Sequence, residues 1–260
     1  MSSALLIVSK LGYNAGEKTL LSDISLSIQA GELVGIIGPN GAGKSTLMKC
    51  LSGFQKYNRG EVLIKGLSLT KLSDIDRARD LSYLPQYSET AFPFSVMETV
   101  GFGFHVQQQT QPMSAKAIAA KTIEALTLVG IDHLKDRSIT ALSGGEKQLV
   151  HFARLLVQGA PLMLLDEPTA SLDIGHESQL MNVLYQQCQQ GKSALVAIHN
   201  LNTAAEFCDR LILVEQGQII AEGKPSDVLT KANIHRLYQD FVIVSQHAET
   251  GNTIVSPYRK

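Results

Sequence analysis

The apolar run Leu33 to Ile37 passes directly into a glycine-rich turn, Gly38-Pro39-Asn40-Gly41-Ala42-Gly43-Lys44-Ser45-Thr46. The apolar-periodic stretch after it reads as a helix beginning near Lys44. A buried strand, a tight turn and a helix in immediate succession leave a chain few options. The strand belongs inside an α/β layer, and the turn lies at its carboxyl end. Gly38, Gly41 and Gly43 free the backbone to take positive φ and to turn its N–H groups outward, while the helix start adds partial positive charge. Such a cradle suits phosphate. At this spacing Lys44 reaches the β- and γ-phosphates of a nucleotide, and Ser45 offers a hydroxyl to magnesium.

A second apolar strand, Leu162 to Leu165, ends in the adjacent carboxylates Asp166 and Glu167. Neighbouring strand residues point to opposite sides, so the two are expected to have separate roles. Asp166 falls to the magnesium shell and Glu167 to the attacking water, as general base or orienting group. Between the two strands, Ser143-Gly144-Gly145-Glu146 precedes the periodic run Leu149, Phe152, Ala153, Leu155, Leu156. Ser-x-x-Glu there is a helix capping box, and a helix start with two glycines again exposes donors to a phosphate. Both readings hold together.

The combination of Gly38 to Thr46, L-S-G-G-E at Leu142 to Glu146 and L-M-L-L-D-E-P at Leu162 to Pro168 resembles the ATPase subunit of an ABC transporter. That resemblance implies an ABC-type P-loop NTPase in the α/β class, with a mostly parallel core sheet, an antiparallel β portion and a helical subdomain. It implies ATP and Mg2+ as ligands and a homodimer that sandwiches two ATP molecules. Ser143, Gly144, Gly145 and Glu146 of one chain would then contact the γ-phosphate held by the other. Tyr13 matches the aromatic that stacks on adenine. Gln86 matches the glutamine that touches magnesium or the attacking water. Ser171, Leu172 and Asp173 match the segment crossing the dimer interface, and His199 matches the histidine that holds the γ-phosphate in the closed state. The family often has aspartate after that histidine; Asn200 stands here, which removes a charge and leaves the imidazole in place.

At 260 residues the chain is long enough for a substantial core, and 44% hydrophobic with 18% charged residues suits a globular protein. A net charge of −1 gives no electrostatic case for a nucleic-acid partner. Cys50, Cys188 and Cys208 fall in expected helical segments without metal-ligand spacing and read as reduced thiols. No apolar stretch approaches the roughly 18 to 20 residues that span a bilayer, and Met1 to Val8 lacks a charged leader segment. Membrane contact is therefore expected through partners, and the resemblance implies that it takes place at the cytoplasmic face of the inner membrane.

Strands are expected near Leu5 to Val8, Leu33 to Ile37, Val62 to Ile64, Leu81 to Leu84, Leu162 to Leu165, Ala194 to Ile198 and Leu211 to Val214. Between Gln86 and Gln158 the pattern turns helical, with Val96 to His105, Ser114 to Val129 and the helix after Ser143; the polar run Gln107 to Pro112 reads as a surface loop. Residues 1–230 form one expected ATPase domain, with the helical subdomain inserted at about 87–158. A short helical tail is expected from Ser226 onward, and residues 231–260 form a C-terminal tail with a final apolar patch, Phe241 to Val244.

Within the family, three segments are similar to ATPases of importers for ferric siderophores, haem and cobalamin: Ser171 to Glu177, His199 to Arg210 and Gly223 to Thr230. The segment Phe92 to Val100 points the same way, with Phe92 and Phe94 as candidates for the groove that receives a permease helix. Such an importer implies two membrane permease subunits and, indirectly, a substrate-binding protein. A single-cassette ATPase of iron–sulphur assembly and the ATPase of another transporter class share the core motifs; the segments after His199 fit the chelate importers better.

Overall fold

The computed structural model describes residues 4–86, 92–238 and 242–258. The chain begins with strands β1 (Leu6–Ala15), β2 (Lys18–Ile28) and β3 (Leu33–Ile37), helix α1 (Lys44–Leu51), strands β4 (Arg59–Ile64) and β5 (Leu67–Ser68), helix α2 (Asp74–Asp80) and strand β6 (Leu81–Leu84). A helical stretch follows: α3 (Val96–Gly101), α4 (His105–Thr110), α5 (Ala115–Leu128) and α6 (Gly144–Gln158). Strands and helices then alternate through β7 (Leu162–Asp166), α7 (Ile174–Gln189), β8 (Ser193–Ala197), α8 (Leu201–Phe207) and β9 (Arg210–Glu215). The chain finishes with β10 (Gln218–Gly223), α9 (Pro225–Val228), α10 (Lys231–Tyr238), β11 (Val242–Gln246) and β12 (Thr253–Pro257).

The central sheet has the order β10-β9-β3-β8-β7-β6, parallel except for β10 at its edge. Every residue of β3, β7 and β8 is buried. Both faces are covered, which is why these strands read as continuous apolar runs without alternation. The pleat sends Leu33, Ile37, Met163, Leu165, Val196 and Leu213 into one core, closed by α6, α7 and the helical insertion. Val34, Ile36, Leu164, Leu195 and Ile212 enter the other core, shared with α1 and the antiparallel sheet β2-β1-β4-β5.

This order puts the carboxyl ends of β3, β8, β7 and β6 side by side. The segments leaving them are the glycine-rich turn after Ile37, His199, the carboxylates Asp166 and Glu167, and Gln86. Open α/β sheets bind ligands beyond the carboxyl ends of their strands.

Several expectations need correction. The N-terminal strand extends well beyond Leu5 to Val8, because β1 continues past register shifts between Val8 and Leu11 and between Leu11 and Tyr13 that break its alternation. The polar run from Gln107 is not a loop up to Thr110: it belongs to α4, and glutamine is a good helix former. Gln107 Nε2 donates to Val157 O (2.7 Å) and Gln158 O (3.1 Å), so that side chain closes the end of α6. The expected helix to His105 also breaks, since α3 stops at Gly101 and Phe102–Phe104 form a 3-10 turn. Cys208 lies just past the last residue of α8, and all three thiols are free and buried. The helical part of the tail is present as α9 and α10, and the apolar patch beyond it belongs to a hairpin of β11 with β12 that the pattern does not announce; Phe241 and residues 87–91 of the expected insertion lie outside the described residues. Among the described residues no helix is long and apolar enough to cross a membrane.

Candidate active site

The turn after β3 is shaped by glycines at positive φ. Gly38 has φ 150°, and a Cβ there would sit 2.1 Å from Val214 O. Gly43 caps α1 at φ 106° with no side-chain cap, and α1 carries no acidic residue in its first turn. The helix start is left open to an anion. Lys44 folds back over the turn, its Nζ donating to Gly38 O (2.8 Å) and Pro39 O (3.2 Å), with 4% of the residue exposed. Burial lowers its pKa, while the nearby Glu167 and Asp166 pull it back up.

Asp166 ends β7 and accepts a hydrogen bond from Ser45 Oγ at 3.0 Å. Burial pushes its pKa above the ordinary carboxylate range, and the Ser45 hydrogen bond opposes that. A buried carboxylate beside a hydroxyl, at the mouth of an amide-lined turn, is an oxygen donor set that fits a divalent cation bridging to phosphates. Glu167 lies beyond the strand, at φ 52°. Strand alternation is therefore not what separates the two carboxylates; the left-handed backbone at Glu167 redirects its side chain. Its Oε2 accepts from Gln86 Nε2 at 2.5 Å, and its Oε1 lies 2.6 Å from His199 Nε2. These three residues, with Asn40 to Thr46, Lys18 and Leu20, line one cleft of about 440 Å³. Lys18 and Leu20 had no motif to reveal them, since they arrive from β2 of the other sheet. Tyr13 is not among the residues lining this cleft; it is half-buried on β1 against the core of the antiparallel sheet.

The Ser143 cluster sits elsewhere. Ser143 caps α6 in a reciprocal box, accepting from Glu146 N (3.3 Å) while its own N–H donates to Glu146 Oε2 (2.7 Å). That hydrogen bond holds the Glu146 carboxyl below the usual range. Ser143, Gly144, Gly145 and Glu146 share a separate cavity of about 330 Å³ with Ser171, Leu172, Asp173 and His176. Asp173 caps α7 and accepts from both His176 N and His176 Nδ1 at 2.9 Å. Asn200 caps α8, its Oδ1 accepting from Asn202 N (3.1 Å) and Thr203 N (3.3 Å). The two cavities share no lining residue.

The family model described as ABC transporter matches residues 21–170. The chain belongs to the ABC transporter family. It is an ATP-binding ATPase subunit of that family. Among its relatives, the hemin import ATP-binding protein HmuV of Pseudomonas fluorescens (strain Pf0-1) is 39% identical, with 96% of this chain and 99% of that protein covered. The HmuV of Plesiomonas shigelloides is 38% identical, over 95% of this chain and 99% of its own length. An inward-facing metal-chelate type ABC transporter shares the fold over 99% of both chains, with a TM-score of 0.82 at 24% identity. A bacterial ABC transporter cassette solved as a dimer aligns with a TM-score of 0.78 at 27% identity, over 85% of this chain and 98% of that one.

Proposed function

We propose that this chain is the ATP-hydrolysing subunit of an importer that carries haem, or a chemically similar metal chelate, through separate membrane permease chains. The observation that carries the reading is the convergence on Glu167 of Gln86, His199 and the Lys44 turn at adjacent strand ends; similarity to hemin import ATP-binding proteins supports the cargo class.

In this reading the N–H groups of Gly41 to Thr46 and the Lys44 ammonium bind the triphosphate, which displaces Lys44 from the carbonyls of Gly38 and Pro39. Ser45, Asp166 and Gln86 would hold Mg2+, which when bound neutralises charge on the β- and γ-phosphate oxygens. Glu167 accepts the proton of the attacking water, and His199 steadies the γ-phosphate side of the cleft. Tyr13, on β1, is the residue that by resemblance to the family would stack on adenine.

The second cavity supplies the other half of a partner's site. Two copies close head to tail, so that Ser143, Gly144, Gly145 and Glu146 of each meet the phosphates held by the other, with Asp173 near the seam. Binding energy realised only in the closed pair biases the permease between conformations, and hydrolysis resets it. The ATPase domain then spans residues 1–230, its helical insertion at about 87–158 faces the permease at the cytoplasmic side of the membrane, and a substrate-binding protein delivers the chelate from the other side.

The test is purification of tagged Glu167→Gln protein from detergent-solubilised membranes with ATP and magnesium, followed by mass spectrometry. A stoichiometric polytopic permease supports the importer. Recovery of soluble partners alone would overturn it and leave only the ATPase chemistry.

A further inference from the structure

We propose that the C-terminal hairpin β11–β12 is a clamp on α8 that positions the His199 imidazole, and that Asn202 is the positioning residue through which it acts. This rests on the reading of His199 as a residue of the hydrolytic cleft.

Helix α8 has seven residues and begins two positions after His199. A helix that short has little stability of its own, so its placement, and that of the segment entering it, is set by what it touches. Its inner face, Ala204 and Ala205, is buried against the core. Its flank is tied to α7 by Thr203 Oγ1, which donates to Glu177 Oε1 at 2.9 Å. The outer contacts come from the tail. Asn202 pairs with the backbone of Val255 in both directions, accepting from Val255 N on Oδ1 (2.8 Å) and donating from Nδ2 to Val255 O (3.2 Å). One turn later, Asn252 Nδ2 donates to Glu206 Oε2 at 2.7 Å.

The hairpin is itself seated. Val242, Val244 and Val255 pack against the main core, and Val244 faces Val255 across the pair. Ahead of it, Arg236 Nε donates to Glu215 Oε2 (2.9 Å), tying α10 to the carboxyl end of β9. The line of contact therefore runs from the hairpin backbone through the Asn202 side chain to the Asn202 N–H, which Asn200 Oδ1 caps, and Asn200 is the neighbour of His199. No described residue of the tail lines the cleft beside Glu167. Its influence on the chemistry runs through α8.

The test is steady-state ATPase kinetics and thermal melting of the full-length chain carrying Asn202→Ala, Asn202→Asp, His199→Ala and the Asn202→Ala/His199→Ala pair. Asn202→Ala is expected to lower kcat by about tenfold, less than the roughly 10²-fold that a full 1 Å misplacement can cost, with KM for ATP nearly unchanged. Asn202→Asp keeps the acceptor for Val255 N–H and should recover part of the loss. In the His199→Ala background the Asn202 change should add nothing, the signature of action through one residue. A lower melting temperature with normal kcat, or losses that multiply in the double variant, would overturn the clamp while leaving His199 in the cleft. Wild-type turnover in His199→Ala alone would overturn both readings. Should Asn202→Ala not fold, Asn252→Ala removes only the Glu206 contact at the surface; the same comparison against His199→Ala then decides, a smaller dependent loss supporting the clamp and none refuting it.

Discussion

Gln86 and Glu167 leave neighbouring strand ends, and the amide of the first donates to the carboxylate of the second across 2.5 Å. His199 Nε2 stands 2.6 Å from the other oxygen. Each oxygen of the proposed base thus has one partner inside the chain, and a carboxylate with about four lone-pair sites can still accept from a water. The orientation of Glu167 is governed by how firmly Gln86 and His199 hold it.

Glu167→Gln keeps the size of the side chain and removes the proton acceptor. Phosphate release should fall by about 10²- to 10⁴-fold, the usual contribution of a general base, while ATP affinity measured by calorimetry stays near wild type. Wild-type turnover would remove Glu167 from the chemistry.

Lys44→Ala acts on binding itself. The ammonium is buried over the turn and donates to two backbone carbonyls, so it is poised to exchange them for phosphate oxygens. Hydrogen bonds from charged groups contribute about 1.5–3 kcal/mol, which is about tenfold or more in Kd. Unchanged ATP affinity in this variant would place the triphosphate elsewhere.

Asp166 predicts a pH dependence. Burial raises its folded-state pKa above the unfolded value, near 3.9. An acid with a raised pKa opposes folding when ionised, so its cost is present above the folded pKa and disappears as pH falls to the unfolded one. Asp166→Asn retains an acceptor for Ser45 without the charge. Free of nucleotide and magnesium, that variant should melt above wild type at pH 7, by about 2–4 °C for each kcal/mol relieved, and the gap should close on acidification. A lower melting point at pH 7 would mean that the carboxylate is better solvated than its burial implies.

The sequence was most legible where one local rule determined the outcome. Continuous apolar runs marked the buried parallel strands, and β3 and β6 have the expected bounds because nothing but burial on two faces decides them. The cap at Ser143 and the positive φ at Gly38, Gly41 and Gly43 follow from local chemistry in the same way. What stayed hidden depends on distant partners. Register shifts in β1 hid its length, and the hairpin pairing of β11 with β12 leaves no alternation strong enough to read. The three-way contact among Gln86, Glu167 and His199 could not be read as geometry, because it is created by strand order and by the left-handed backbone at Glu167. Lys18 and Leu20 reach the cleft only because two sheets meet there.

Asn200 lacks the charge that the family often has beside this histidine, and its side chain is occupied with a different task. Oδ1 accepts from two N–H groups at the start of α8, which any good N-cap residue does. Aspartate caps equally well and adds favourable charge at a helix start, so Asn200→Asp should fold with unchanged or slightly higher melting temperature and retain turnover. Asn200→Ala loses the cap, at a cost of about 1 kcal/mol, and should also lower turnover because α8 and the His199 segment loosen together. Melting curves and phosphate-release rates of the two variants decide the matter. If Asp and Ala lower the melting temperature alike, capping is not what this residue contributes, and its neutrality beside the histidine becomes the property to explain.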